Sequence, residues 1–283
     1  MYPDYPFKSN YFVKESNRIH YVDEGEGDII VMVHGNPTWS FYYRRLISLL
    51  RLSHRVIAVD HLGCGLSDKP QDYNYCMQNH IDNLADLLDH LQVQSFSLCV
   101  HDWGGAIGFG MAARKNNSLQ RALVFNTAAF RSKRIPFRIN ICRMPVIGSF
   151  LVRALNGFAG PAVFMAVKKK MERSVAKAYL APYSSWQNRI AVSAFVQDIP
   201  LSSTHPSYKS LLAVEKGLEE FQKRNLPILL CWGGLDFCFN TSFYDEWCSR
   251  FPHAQKHFFA DSGHYVLEDS FDAIAPLATA FFQ

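Results

Sequence analysis

The feature that most constrains this chain is the alternation of two hydrophobic periods between residues 28 and 125. Four short, nearly unbroken apolar runs read as strands buried on both faces: residues 28–33, 55–59, 95–100 and 121–125. Between them, residues 40–52, 79–91 and 104–115 read as helices. The second carries Ile81, Leu84, Leu88 and Leu91 at helical spacing. Strands alternating with helices predict a mostly parallel sheet covered on both faces. In such a sheet, functional side chains stand just past the carboxyl ends of the strands. The alternation stops after Asn126. Residues 127–222 read as helical, loop-rich and basic, with many Phe, Met and Trp residues. Strand patterns resume at 227–232 and 256–259, and a last helix is expected over 268–282. The expectation is therefore an α/β core from residues 1–126 and 223–283, with a helical cap of residues 127–222 inserted over the strand ends.

Composition narrows the class. Of 283 residues, 48% are hydrophobic and 19% charged, which is globular rather than disordered. The start, Met1-Tyr2-Pro3-Asp4-Tyr5-Pro6, lacks the basic and apolar regions of a secretory signal. The uncharged run 154–167 falls short of the roughly 20 residues a membrane span needs. Seven cysteines without a C-x-x-C pair imply neither a disulfide framework nor a structural zinc. Reduced thiols in a cytoplasmic setting, with no metal and no cofactor, are expected. Residues 127–200 hold 12 Lys/Arg and only Glu172 and Asp198 as acids, a local +10. The overall +4 then leaves −6 on the rest of the chain. A basic cap suits a protein partner or a membrane surface, and equally a solvated helical face. No nucleic acid is expected.

Three segments carry chemistry. Val100-His101-Asp102-Trp103-Gly104-Gly105 joins a strand to a helix through a tight turn, the context of a nucleophile elbow. The usual G-x-S-x-G is absent, and Asp102 stands at the nucleophile position. Trp232-Gly233-Gly234-Leu235-Asp236 places an acid after one strand, and Asp261-Ser262-Gly263-His264 places a histidine after the next. The order nucleophile, acid, histidine is that of α/β-hydrolases. His34-Gly35-Asn36-Pro37 follows the first buried strand, where an oxyanion loop belongs. The backbone N–H groups of Asn36 and Trp103 are its expected donors. His34 reads as a structural residue holding the turn.

These elements, spread from Ile29 to Glu268, resemble the haloalkane dehalogenase family, with its H-G-N-P and V-H-D-W-G motifs. The resemblance implies that the side chains of Asn36 and Trp103 hold a departing halide. Subgroups of that family place the triad acid after different strands. Here the strand before the cap ends in Asn126, not an acid, so the resemblance is to the subgroup with a late acid, Asp236. The cap and tail resemble a narrower group, bacterial β-lactone decarboxylases of long-chain olefin biosynthesis. The matching segments include Asn126-Thr127-Ala128-Ala129-Phe130, Arg134-Ile135-Pro136, Ser185-Trp186-Gln187-Asn188-Arg189-Ile190-Ala191 and Gly263-His264-Tyr265-Val266-Leu267-Glu268.

An aspartate nucleophile needs no base for its first step, because a carboxylate is already ionised at neutral pH. Asp102 can form a covalent ester with an apolar electrophile. Water activated by His264, itself oriented by Asp236, then hydrolyses the ester. Haloalkane hydrolysis is the first reading and β-lactone decarboxylation the alternative. An epoxide hydrolase would need acids such as the cap tyrosines Tyr179, Tyr183 and Tyr208. A non-catalytic scaffold subunit is the rival of a different class. Phe158, Phe164, Met165 and Trp186 are candidates for lining a substrate pocket or for filling the core of the cap. Cys238 reads as packing, and Lys168-Lys169-Lys170 as a solvated face.

Overall fold

The computed structural model describes residues 2–115 and 118–283, so Met1, Asn116 and Asn117 of the expected core lie outside it. Among the described residues, eight strands form one sheet: β1 (Asn10–Lys14), β2 (Asn17–Glu24), β3 (Ile29–Val33), β4 (Arg55–Val59), β5 (Phe96–Asp102), β6 (Leu119–Thr127), β7 (Ile228–Gly233) and β8 (Gln255–Phe259). Their spatial order is 1-2-4-3-5-6-7-8. The last six are mutually parallel, and β2 runs antiparallel to both β1 and β4. The β1–β2 hairpin was not legible in sequence. Strand β1 forms the sheet edge, and both strands carry many polar residues, so no unbroken apolar run marks them.

The central strands bury both faces, which is why their sequences read as continuous apolar runs. In β3, Val31 and Val33 join one core cluster while Ile30 and Met32 join the other. The same parity separates Leu230 and Trp232 from Leu229 and Cys231 in β7. Helices cover the two faces: α1 (Arg44–Leu50), α2 (Met77–His90) and α3 (Trp103–Arg114) alternate with the first strands. The expected helix over 40–52 opens as a single 3-10 turn, Ser40–Tyr43.

Between β6 and β7 stand α4 (Phe137–Cys142), α5 (Ile147–Arg153), α6 (Ala159–Met165), α7 (Arg173–Leu180), α8 (Ile190–Gln197) and α9 (Tyr208–Lys223). Cys142, Val152, Ala159, Tyr183, Val192 and Val196 form a small core within this segment. Helix α9 joins its Leu211, Val214, Leu218 and Phe221 to the core cluster that holds α3, and the other helices of this segment also reach the two core clusters, through Val163, Val175, Tyr179, Ala191 and Phe195. The chain closes with α10 (Thr241–Arg250), α11 (Val266–Asp269) and α12 (Phe271–Phe282). The single helix expected over 268–282 is thus two, interrupted at Ser270. Among the described residues, no helix is long and apolar enough to cross a membrane.

Candidate active site

Asp102 is the last residue of β5, and Trp103 opens α3. The turn between them puts Asp102 at φ 54°, ψ −128°. A non-glycine residue held there stores strain of about 1–3 kcal/mol, of the kind found at functional sites. The turn is possible only because α3 approaches the sheet closely. A Cβ on Gly104 would lie 1.9 Å from the Val33 carbonyl oxygen. The hydroxyl of Thr127 donates to the Asp102 carbonyl and ties the elbow to β6.

Three loops converge on the Asp102 carboxylate. From the loop after β3, the Asn36 backbone N–H donates to Oδ1 at 2.6 Å. From the loop after β8, His264 places Nε2 3.5 Å from Oδ2. From the turn after β7, Asp236 holds His264 Nδ1 at 2.8 Å through its Oδ2, while its Oδ1 accepts the Cys238 N–H at 2.6 Å. All three side chains are nearly buried. Burial alone would lower the His264 pKa, but Asp236 and Asp102 outweigh it and raise it to about 10. The two carboxylates favour the imidazolium form. Neutralising either carboxylate would lower that pKa again and leave the imidazole more readily neutral.

The surrounding residues explain the placement. His34 accepts the His61 N–H at Nε2, 3.0 Å away, and so carries its proton on Nδ1, which donates to the Gly35 carbonyl at 2.7 Å. His34 braces the Asn36 loop, a structural role whose partner, His61, lies 27 residues away in sequence. His101 donates through Nε2 to the His264 carbonyl at 2.9 Å and stacks on Tyr42. Phe239 stacks on His264 with ring centroids 5.7 Å apart. Asn126 clasps Gly233 twice, accepting its N–H at 2.8 Å and donating to its carbonyl at 3.0 Å. That clasp sets the start of the turn carrying Asp236. His101 and Phe239 escaped notice because a buried histidine or a loop phenylalanine has no periodic or spacing signature. Asn126 was conspicuous only as the acid that is absent.

Above the triad lies a cavity of about 390 Å³. Asn36, Asp102, Trp103 and His264 line it among mostly apolar side chains. Among the described residues, the Trp103 indole N–H has no protein partner. The Asn36 amide donates to the Val192 carbonyl at 3.1 Å, which leaves its second N–H unspent. Phe158 and Met165 line the cavity, but Phe164 and Trp186 do not. Met165 is the last residue of α6 and Phe158 the residue just before it, seven positions earlier. Phe164 is turned some 100° from Met165, as neighbours on a helix are, and is 77% exposed. Trp186 is 40% exposed and lies under the Arg153 guanidinium, 4.4 Å away. The cap tyrosines are also engaged elsewhere: Tyr179 on Glu268, Tyr183 on the Thr38 carbonyl and Tyr208 with Arg131. None of the three lines the cavity, so these tyrosines are not placed to serve as acids for epoxide opening.

Residues 28–271 match the model of the α/β hydrolase fold. The chain belongs to the α/β-hydrolase family. This α/β-hydrolase is 46% identical to a cis-3-alkyl-4-alkyloxetan-2-one decarboxylase of Shewanella oneidensis, covering 95% of the chain and 86% of that protein. It is 38% identical to the protein of the same name in Xanthomonas campestris, over 100% of the chain and 98% of that protein. Haloalkane dehalogenase 2 of Mycobacterium tuberculosis is 29% identical over 96% of the chain and 93% of its own length. Solved haloalkane dehalogenases share the fold. DatA of Agrobacterium tumefaciens superposes with a TM-score of 0.87 at 23% identity, over 97% of this chain and 95% of DatA. DbeA of Bradyrhizobium elkanii superposes at 0.88 and 22% identity, over 97% of each chain. The hydrolase is an enzyme of a family that includes both haloalkane dehalogenases and β-lactone decarboxylases.

Proposed function

We propose that this α/β-hydrolase is a β-lactone decarboxylase acting on cis-3,4-dialkyl-oxetan-2-ones, with Asp102 as nucleophile, His264 and Asp236 completing the triad, and Asn36 and Trp103 as donors to the leaving group. The observation that carries this order of readings is the 46% identity to the Shewanella decarboxylase across 95% of the chain, cap included. It reverses the precedence that the core motifs alone suggest.

The chemistry balances without water. One Asp102 oxygen attacks ring carbon C4 from behind, as it would an alkyl halide. The C4–O1 bond breaks, and O1 leaves as a carboxylate still attached through C2 to C3. That carboxylate takes the place of a halide before the Trp103 indole N–H and the spare Asn36 N–H. The C2–C3 bonding pair then forms the C3=C4 double bond, carbon dioxide departs, and the C4–O pair returns to Asp102. Attack with inversion sets the C2–C3 and C4–Asp102 bonds antiparallel, so fragmentation needs no rotation and a cis lactone gives a cis olefin. Protonated His264 steadies the carboxylates on either side of it.

Haloalkane hydrolysis is the second reading, and the unpartnered indole N–H beside Asp102 favours it. There His264 must activate water against the Asp102 ester. The mostly apolar cavity suits the small apolar substrate that either reaction uses. The core of residues 1–126 and 223–283, with a basic cap facing a protein partner or a membrane, belongs to the same reading. The seven free cysteines support a cytoplasmic setting.

The test is to supply a cis-3,4-dialkyl-oxetan-2-one and, separately, bromoalkanes, with Asp102→Ala as control. Carbon dioxide and cis olefin in equal amounts, lost in the variant, are expected. A β-hydroxy acid as product would refute the fragmentation. Bromide release with an inert lactone would establish the second reading. Under it, His264→Phe should accumulate an alkyl adduct on Asp102, visible as added intact mass.

A further inference from the structure

We infer that the outer face of the cap, around α4 and α5, docks on an anionic lipid surface and brings the cavity mouth to the membrane. Between Thr127 and Met171 there are nine Lys/Arg and no Asp or Glu. Among the described residues, Lys133, Arg134 and Arg138 have no carboxylate partner. Phe137, Val146, Ile147 and Phe150 lie on α4, on α5 or in the turn between them, each between 53% and 81% exposed. Large apolar side chains held in water at this density mark an interaction site.

The face and the cavity share one element. Arg134, Ile135, Pro136, Arg138 and Ile139 line the cavity, while Phe137 points away from it into solvent. Between α4 and α5 the chain makes a three-residue γ-turn centred on Val146, at φ 63° and ψ −62°. The Ile147 N–H donates to the Pro145 carbonyl at 2.7 Å across it. A β-branched residue is strained there, and the turn displays its side chain at 81% exposure. Strain and exposure at one apex are explained by insertion into an apolar phase.

Charge selects the occupant. Among the described residues, Lys133, Arg134 and Arg138 give this face positive charge with no carboxylate partner, whereas Arg131 beside it is paired with Glu215. Cations around inserted apolar side chains fit the phosphates and acyl boundary of an anionic bilayer. The purpose rests on the proposed reading: a two-chain lactone dissolves in lipid rather than water, and a cavity opening on the membrane takes it up directly. The docking itself does not require that chemistry.

The test is flotation of the full chain with phosphatidylcholine vesicles, with and without phosphatidylglycerol. Binding that needs the anionic lipid and weakens in high salt is expected. Val146→Asp/Phe150→Asp, at exposed positions outside the cavity, should lower it at least tenfold. Lys133→Glu should weaken binding to anionic vesicles alone. The double variant should turn over a short water-soluble bromoalkane or lactone as the wild type does. No flotation with anionic vesicles, or unchanged flotation of the double variant, would overturn the inference. A face that instead captures a purified protein and ignores vesicles would overturn it equally. Vesicle binding without turnover of any lactone would sink the proposed reaction and leave the docking standing.

Discussion

Asn126→Leu isolates the residue that sets the acid of the triad. The Asn126 side chain is fully buried, accepts the Gly233 N–H and donates to the Gly233 carbonyl. Leucine keeps the branching and the heavy-atom count, so the change removes two hydrogen bonds without opening a cavity, and its bulkier methyls can only add to the loss by overpacking. Each buried backbone group left unpaired costs about 1–3 kcal/mol, so the loss should be about 2–6 kcal/mol. That is a large share of the roughly 5–15 kcal/mol that holds a typical domain together. Urea unfolding should show the loss as a lower midpoint with an unchanged slope. Activity should fall further than unfolding explains, because Gly233 begins the turn that aims Asp236, and a 1 Å misplacement costs about a hundredfold. Asn126→Asp sharpens the test. An ionised carboxylate faces the Gly233 carbonyl unfavourably, whereas the protonated acid can donate to it. The variant's carboxyl is therefore raised in the folded state, and its stability should recover as pH falls. A loss below about 1 kcal/mol in the leucine variant would mean that Gly233 finds other partners, and the clasp would be ornamental.

Two further outcomes follow from the site. Trp103→Phe keeps a ring near Phe195 but deletes the unpartnered donor beside Asp102. It should lower kcat by about a hundred- to a thousandfold, the usual cost of a leaving-group or oxyanion donor, with unfolding nearly unchanged. An unchanged kcat would remove Trp103 from the mechanism. The raised pKa of His264, about 10, predicts a stability contribution complete below about pH 6.5, the ordinary histidine value, and lost as pH rises towards 10. Urea midpoints across that window should decline in the wild type and flatten in His264→Gln. Equal slopes would show that the two carboxylates do not hold the imidazolium.

Sequence alone determined the parallel sheet, because strands buried on both faces must be apolar without interruption. It also determined the order Asp102, Asp236, His264, because chemistry in this architecture sits just past strand ends. These are local rules, and a chain obeys them before it folds. Tertiary structure decided what depends on direction and distant partners. It gave His34 its brace in His61, gave Asp236 its aim through Asn126 and Gly233, and set Phe239 against His264. It turned Phe158 and Met165 into the cavity while leaving Phe164 and Trp186 outside. It packed Leu211, Val214 and Leu218 of α9 into the cluster that holds α3, a pairing no local pattern specifies. The reason is common to all of them. Composition and period say that a side chain will be buried, but which surface buries it depends on elements dozens of residues away.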